Sequence, residues 1–283
     1  MLYMENNAVI PHPRNLERVV ESISKGGTGK LHILSDFDKT LTTAFIEGQE
    51  VHSIIAQIRE GKYLTPDYSP KAYALFEKYH PIEIDPKIPL KEKKEAMHEW
   101  WDFHFKLLAE CGLDKKVMEE IVRKRRLRFR DGALEFIDLL HQHNIPLVIM
   151  SAAPGDMLKM YLEQENRLYN NVHMVANLFN FDRRGRVTGV KEPIIHSINK
   201  DETTLQNFPV FEVIKNRNNV ILLGDSIGDV GMIEGFDYSN LLKIGFLNED
   251  VENNLRTYKK RFDVIILNDS GMGYVNNLMK RII

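Results

Sequence analysis

The fold is decided by the segment Leu31–Leu41, which reads LHILSDFDKTL. Its first four residues, Leu31–Leu34, form an apolar run typical of a short buried strand, and polar residues follow at once. Polar residues follow this run directly, so the strand should end there, and residues two apart, such as Asp36 and Asp38, can share one pocket at its end. The segment therefore predicts a strand whose carboxyl end carries two acidic side chains.

Three further apolar runs predict buried strands, and helical patterns separate them. The runs are Leu147–Met150, Val220–Leu223 and Val264–Leu267, and the helical patterns include Leu134–His141 and Met157–Gln164. Buried strands that alternate with helices predict an α/β fold with a doubly wound, mostly parallel sheet. In such a sheet a ligand binds beyond the carboxyl ends of the strands.

The region between the first two predicted strands has a different character and predicts a helical insertion. It has few β-branched runs, several aromatic residues and a long polar–apolar periodicity over Leu90–Leu108. Gly61–Pro70 contains glycine, aspartate and two prolines, and predicts a loop inside the insertion. We therefore predict a core formed by residues 1–47 and 131–283, and a helical cap formed by residues 48–130. Such a cap can close over the sheet edge and exclude water.

Composition restricts the classes of function. The 283-residue chain has a formal net charge of -2 at pH 7, which offers no basic surplus for binding a nucleic-acid polymer. The single cysteine, Cys111, excludes an internal disulfide and fits a structural thiol in a reducing compartment. No leader pattern is evident, and no apolar run reaches the ~18 residues of a membrane span. We expect a soluble, cytoplasmic monomer without a membrane partner.

A second acidic motif follows the third apolar run and reads Gly224-Asp225-Ser226-Ile227-Gly228-Asp229. Its two carboxylates can lie on one side of a tight turn and, with Asp36, form an oxygen-only cluster that suits Mg²⁺. Taken alone, this turn could equally be a structural cap. A calcium loop after Asp36 is excluded, because that loop needs a preceding helix and a glycine where Leu41 stands.

Groups that could hold a phosphate appear at two further places. Ser151 follows the apolar run Pro146–Met150, and its hydroxyl, with the backbone amide of Ala152, can cradle a phosphate near a helix start. A simple N-cap serine is the competing interpretation. Lys200 lies in a polar run, where a lysine is usually solvated, but phosphoryl transfer requires a cation on the phosphoryl oxygens. With a carboxylate nucleophile, these groups would suffice for phosphoryl transfer through an acyl phosphate.

The order of these motifs resembles that of the haloacid dehalogenase-like (HAD-like) hydrolase superfamily: Asp-x-Asp-x-Thr, a serine after a strand, a lysine, then Gly-Asp-x-x-Gly-Asp. The chain is more closely similar to the cytosolic 5′-nucleotidase III (pyrimidine 5′-nucleotidase) family, from about Asn15 to the C-terminus. Family-like stretches include Ile82–Pro86, Met97–Trp100, Asn180–Asp182 and Leu242–Asn248. The resemblance implies a HAD-like core with a cap, and a magnesium-dependent phosphoric monoester hydrolase.

The resemblance also implies a role for each motif residue. Asp36 would be the nucleophile, and Asp38 the general acid and then the base that activates water against the aspartyl phosphate. The residues that would bind Mg²⁺ are Asp36, Asp38 through its backbone carbonyl, and Asp225, with Asp229 in support. Those that would hold the phosphate are Ser151, Ala152 and Lys200.

Residues of the predicted cap would contact the base. Glu83 matches the family glutamate that contacts the base, and Trp101 stands where an aromatic side chain stacks on it. Stacking is worth about 1–3 kcal/mol, and a carboxylate favours base edges that offer N–H groups. His104 stands at a third base-side position, where the family has serine, and Trp101 where tyrosine is common. Ala153-Pro154 replaces Gly-Ile, and Glu47–Ile55 lacks the usual cysteines.

The predicted reaction is hydrolysis of a nucleoside 5′-monophosphate to nucleoside and phosphate. CMP or UMP is the first choice of substrate, and 7-methyl-GMP is a variant because its cationic ring would stack well on Trp101. Capture of the aspartyl phosphate by an alcohol would give a nucleoside phosphotransferase side activity. Two alternatives stay open: a phosphatase for a small non-nucleotide ester built on the same core, and a non-catalytic nucleotide-binding module.

Overall fold

The computed structural model describes residues 3–5, 7–200, 205–206 and 208–283. Its strands are β1 (Tyr3–Glu5), β2 (Ala8–Ile10), β3 (Leu31–Ser35), β4 (Phe45–Ile46), β5 (Gln49–Glu50), β6 (Leu147–Pro154), β7 (Val172–Asn177), β8 (Phe179–Phe181), β9 (Val187–Val190), β10 (Asn219–Gly224), β11 (Asn240–Leu247) and β12 (Val264–Leu267). Its α-helices are α1 (Pro13–Gly26), α2 (Ile54–Glu60), α3 (Tyr68–Ile84), α4 (Leu90–Glu110), α5 (Lys115–Arg123), α6 (Ala133–Gln142), α7 (Gly155–Gln164), α8 (Val210–Ile214), α9 (Val251–Tyr258) and α10 (Gly273–Ile282). Two 3-10 helices span Thr28–Lys30 and Ile227–Ile233.

Eight of these strands form the central sheet, in the order β1-β2-β12-β11-β10-β3-β6-β7. The strands from β12 to β7 run parallel, and the short β1 and β2 are antiparallel at one edge. After β3 the chain builds β6 and β7 on one side, and then returns to build β10, β11 and β12 on the other. The strand order thus reverses between β3 and β10, and ligands bind beyond the carboxyl ends of the strands at such a reversal.

Both faces of the sheet are covered by apolar side chains from helices. Successive residues of a strand point to opposite faces. Ile33 lies in a core cluster with residues of α1 and α6, and Leu34 in a cluster with residues of α8 and α9. Both side chains are fully buried. The prediction of a doubly wound, mostly parallel α/β sheet is therefore confirmed.

The predicted elements are found with small differences at their ends. All four predicted strands are present, and β6 extends beyond Met150 to Pro154. The predicted loop Gly61–Pro70 is wrong at its end, because α3 begins at Tyr68. Pro70 lies in the first turn of that helix, where its missing N–H would have no partner in any case.

Helices α2 to α5 lie between β3 and β6 in the chain, as the predicted helical insertion requires. α3 and α4 pack together around Tyr79, Met97 and Trp100. The hairpin β8–β9 packs against α4, where Phe105 and Phe179 meet edge to face with ring centroids 5.6 Å apart. The exact boundaries of core and cap stay a prediction. Among the described residues, no helix has the length and apolar character needed to cross a membrane.

Candidate active site

A cavity of about 260 Å³ lies at the carboxyl edge of the sheet, next to the reversal of strand order. The polar residues predicted from separate parts of the chain meet there: Asp36, Asp38, Ser151, Lys200, Asp225 and Asp229 all line it. They come from the ends of β3 and β10, from β6 and from the loop after β9. The structure therefore brings the candidate catalytic, metal and phosphate residues into one site.

Three carboxylates in this cavity lie close enough to share one metal ion. Asp36, Asp225 and Asp229 each offer an oxygen atom, and these oxygens lie within 4.8 Å of one another. Burial is the main cause that raises the pKa of Asp36 to about 7; the charge of Lys200 opposes this rise and that of Asp229 adds to it. Burial also raises the pKa of Asp225, with the charge of Asp36 adding to the effect. An oxygen-only donor set in which the carboxylates repel one another fits Mg²⁺.

Lys200 is a largely buried cation that lines the cavity beside the carboxylates. Its Nζ donates to a carboxylate oxygen of Asp36 and lies 3.7 Å from Oδ1 of Asp229. Burial by itself would lower the pKa of Lys200, but the charges of Asp36 and Asp229 outweigh burial and raise it. Lys200 thus stays charged and close to the candidate nucleophile. The interpretation of this residue as solvated surface is wrong.

β3 ends at Ser35, and Asp38, two residues after Asp36, lines the same cavity. Burial raises the pKa of Asp38 to about 6, and the nearby Lys200 opposes that rise. A carboxyl group with a pKa near neutrality can both give and accept a proton under the conditions of the reaction. The position and the pKa of Asp38 thus suit general acid–base chemistry.

The loop after β3 is held by a buried arginine that the sequence did not reveal. The guanidinium of Arg130 donates to the carbonyl oxygens of Lys39, Thr40 and Thr42 at 2.6, 3.0 and 3.2 Å. Its side chain is fully buried and pairs with Asp269 at 2.9 Å. In a run of basic residues no pattern distinguishes the buried arginine from its exposed neighbours.

On the phosphate side, Ser151 lies inside β6 and the following helix has Pro154 as its N-cap, so the interpretation of Ser151 as an N-cap is wrong. Its Oγ accepts from the backbone N–H of Ala153 at 3.1 Å. Asn177 of β7, which the sequence analysis missed, donates to the carbonyl of Ala152 at 2.7 Å and to that of Ile195 at 2.8 Å. Asn177 therefore fastens the serine segment to the loop that carries Lys200.

The turn after β10 combines a cap with a candidate metal ligand. Oδ2 of Asp229 accepts from the backbone N–H and the hydroxyl of Ser226, at 2.9 and 2.8 Å. Oδ1 of the same carboxylate faces Lys200. Gly224 is needed here, because a Cβ at this position would lie 2.5 Å from Cβ of Asp229. The turn is thus both a structural cap and a part of the acidic cluster.

The base-side residues lie at different depths. Trp101 lines the cavity and packs against Phe105, with ring centroids 5.3 Å apart. Glu83 borders an adjacent cavity of about 340 Å³, which shares Ser197 and Lys200 with the first. His104 is only 2% exposed, stacks behind Trp101 and has its Nε2 3.0 Å from the hydroxyl of Tyr68. Direct contact of His104 with a base stays a prediction, because His104 does not line either cavity.

Comparison with known proteins places this architecture in a family. The sequence model of the family described as pyrimidine 5′-nucleotidase (UMPH-1) matches residues 39–283, most of the chain. The chain belongs to the pyrimidine 5′-nucleotidase family. A relative in this family, 7-methylguanosine phosphate-specific 5′-nucleotidase of Mus musculus, is 34% identical over 281 residues, which cover 99% of this chain and 94% of the relative.

Solved structures agree with membership of this family. A crystal structure of cytosolic 5′-nucleotidase IIIB bound to cytidine has a TM-score of 0.89 and 32% identity, and covers 99% of this chain and 94% of that chain. A HAD family hydrolase from Salmonella enterica serovar Typhi shares the fold, with a TM-score of 0.57 and 15% identity over 95% of this chain and 81% of that chain. The predictions of a HAD-like core and of a 5′-nucleotidase, a phosphoric monoester hydrolase, are confirmed.

Proposed function

We propose that this protein is a magnesium-dependent 5′-nucleotidase that hydrolyses nucleoside 5′-monophosphates through an aspartyl phosphate on Asp36. The observation that carries the proposal is the position of the Asp36 carboxylate, beside both Lys200 and the acidic turn and in one cavity with Trp101. A buried carboxylate beside a cation and a metal-binding cluster is suited to attack phosphorus, because phosphoryl transfer depends mainly on positioning and charge neutralisation.

Asp36, Asp225 and Asp229 would hold Mg²⁺, together with the backbone carbonyl of Asp38. When bound, the ion neutralises charge on the phosphoryl oxygens and relieves the repulsion among the carboxylates. Lys200, the hydroxyl of Ser151 and the backbone N–H of Ala152, which belong to residues lining the same cavity, would orient the phosphoryl oxygens. This arrangement leaves a carboxylate oxygen of Asp36 for attack.

The chemistry would proceed in two steps. An oxygen of Asp36 forms a bond to phosphorus while the bond from phosphorus to the 5′ oxygen breaks, and Asp38 gives its proton to the leaving nucleoside. Asp38, now a carboxylate, takes a proton from water as the water oxygen attacks phosphorus. The bond between Asp36 and phosphorus then breaks, which releases phosphate and restores both carboxyl groups. An alcohol in place of water would give phosphotransfer.

Two kinds of base are candidates for the substrate. A pyrimidine is supported by the family and by the cytidine in the structure of the similar nucleotidase IIIB. A 7-methylguanine base is supported by the names of the relatives and by Trp101, because a cationic ring stacks favourably on an indole face. Both bases offer N–H groups to the carboxylate of Glu83. The word cytosolic in the name of nucleotidase IIIB supports the same location for this protein.

Steady-state kinetics would test the proposal and distinguish the bases. The unaltered protein and the Asp36→Asn variant are assayed with CMP, UMP, 7-methyl-GMP and GMP, with p-nitrophenyl phosphate and a sugar phosphate for comparison. We expect magnesium-dependent release of phosphate from at least one nucleotide, and none from the variant. Equal kcat/KM for the sugar phosphate would favour the non-nucleotide phosphatase. No turnover of any substrate would favour a binding module.

A further inference from the structure

A contact between the cap and the core occurs beside the active-site cavity. The hydroxyl of Ser197, in the loop after β9, donates to Oε1 of Glu83, near the end of α3. Ser197 lines the active-site cavity and stands three residues before Lys200, whose ammonium group bonds to Asp36. A short segment of chain, from Ser197 to Lys200, therefore connects the carboxylate of Glu83 in the cap to the cation beside Asp36.

The loop that carries Ser197 is braced from within and from the sheet. Oδ1 of Asn199 accepts from the backbone N–H of His196 at 2.7 Å, and its Nδ2 donates to the carbonyl of Ile194 at 2.7 Å. The backbone N–H of Ile195 donates to Oδ1 of the buried Asn177 at 2.8 Å. These bonds fix the loop on both sides of Ser197, so the serine hydroxyl is presented from a defined position.

The side chain of Glu83 is held less firmly by the residues around it in the cap. Lys93 donates to the backbone carbonyl of Glu83 at 2.7 Å, which fixes the chain but not the carboxylate. Nδ1 of His80 lies 3.3 Å from Oε2, and the side chain of Glu83 is 25% exposed. A partly exposed carboxylate on a flexible stem loses rotamer entropy when it is fixed. Ser197 supplies its contact from the core.

We propose that Ser197 is a positioning residue for the base. Its hydroxyl fixes the carboxylate of Glu83 at a set distance from Lys200, and so sets where a base can bind relative to the phosphate. The inference rests on the proposed nucleotidase function. It adds that the Ser197 hydroxyl orients the carboxylate of Glu83.

The hydroxyl orients Glu83 without preventing it from binding a base. A carboxylate has about four lone-pair sites; Ser197 uses one of them, and Nδ1 of His80 lies beside another. The remaining sites can accept N–H groups from a base edge. A carboxylate that is already oriented loses less entropy on binding, which is the general advantage of preorganisation.

Kinetics of Ser197→Ala and Ser197→Thr on the best nucleotide substrate and on p-nitrophenyl phosphate would test this role. For Ser197→Ala we expect a roughly ten-fold loss of kcat/KM on the nucleotide, carried by KM, because an interaction made equally in ground and transition states changes KM alone. The loss on p-nitrophenyl phosphate should be smaller, since that substrate has no base to reach Glu83. Ser197→Thr keeps the hydroxyl and should recover most of the loss. Ser24→Ala, on the exposed side of α1, is the matched control.

A double variant tests whether Ser197 acts through Glu83. If it does, Ser197→Ala causes no additional loss in a Glu83→Ala background, whereas independent effects would multiply. Multiplicative losses, equal losses on both substrates, or a lower KM for the nucleotide in Ser197→Ala would overturn the inference. An unaltered protein that hydrolyses p-nitrophenyl phosphate but no nucleoside monophosphate would refute the proposed function as well. Normal nucleotide turnover with an unaffected Ser197→Ala would refute the inference alone.

Discussion

At the scale of single residues, Asp36 and Asp38 line one cavity, but their replacement should impair different steps of the reaction. Asp38→Asn leaves the nucleophile in place, and p-nitrophenolate needs little protonation to leave. We therefore expect a burst of p-nitrophenol, close to one equivalent per protein, followed by turnover slowed about 10²–10⁴-fold because no base activates water. Asp36→Asn should give no burst. Rapid-mixing absorbance measurements check both, and a burst from Asp36→Asn would contradict the assigned nucleophile.

A second prediction for a single residue concerns His104 and the dependence of the free energy of unfolding on pH. Burial lowers its pKa to about 4, below its usual value of 6.5, so protonation favours the unfolded chain. The contribution of neutral His104 to the free energy of unfolding is complete above pH 6.5, and it is lost as the pH falls from there toward 4. Between pH 7 and pH 5, the free energy of unfolding should fall by about 2 kcal/mol more in the unaltered protein than in His104→Gln.

Urea unfolding at both pH values measures this difference between the two proteins. His32, which is also buried and also has a pKa lowered to about 4, is present in both proteins and cancels. Parallel pH profiles for the two proteins would mean that His104 does not titrate with a lowered pKa.

At the scale of one structural element, the turn after β10 contains two glycines with different neighbours. A Cβ on Gly224 would lie 2.5 Å from Cβ of Asp229, whereas a Cβ on Gly228 would meet only Oγ of Ser226 at an ordinary 3.5 Å. Gly224→Ala must therefore displace Asp229 from the acidic cluster. We expect the magnesium concentration for half-maximal activity to rise about ten-fold or more in Gly224→Ala, as for residues that support metal ligands.

Gly228→Ala is the matched control within the same turn, and its magnesium requirement should stay close to that of the unaltered protein. Magnesium titrations of the three proteins compare them directly. If both variants bound magnesium like the unaltered protein, the turn would not be part of the metal site.

At the scale of the whole molecule, the acidic cluster should make stability depend on magnesium. The carboxylates of Asp36, Asp225 and Asp229 repel one another with Lys200 as a partial counterion, so the metal-free protein stores that repulsion. Saturating Mg²⁺ at 100 times its Kd should add about 2.7 kcal/mol to the free energy of unfolding. Asp225→Asn should raise the melting temperature in EDTA, because it removes one negative charge, and should abolish the response to Mg²⁺.

Thermal melts with EDTA and with Mg²⁺ measure both effects. Asp237→Asn, an exposed carboxyl outside the cluster, should behave like the unaltered protein. An equal response to Mg²⁺ in Asp225→Asn would mean that the ion binds elsewhere.

Local sequence pattern predicted four of the buried strands, and the acidic residues at the ends of β3 and β10, because the alternation of apolar and polar residues depends only on neighbours in the chain. The apolar run before Asp36 could be recognised as a strand, and the chain direction then placed both acids at its carboxyl end. The prediction was wrong at Tyr68, where a proline in the first turn permits a helix that composition assigns to a loop. Ser151 was ambiguous for a similar reason, since a serine after a strand fits a cap as well as a phosphate site.

The sequence by itself determined the alternation of strands and helices and the acidic residues at the strand ends, since hydrophobic periodicity and chain direction are properties of neighbouring residues. Tertiary structure alone decided which distant side chains reach those acids. Lys200 bonds to Asp36 across 164 positions, and Asn177 joins β6 to the loop after β9, two segments that the sequence leaves unrelated. Arg130 is buried among exposed arginines, and Glu83 meets Ser197 from another part of the chain. These contacts depend on how the sheet and helices pack, because burial and pairing across the fold are set by the whole chain and leave no periodic signal at either residue.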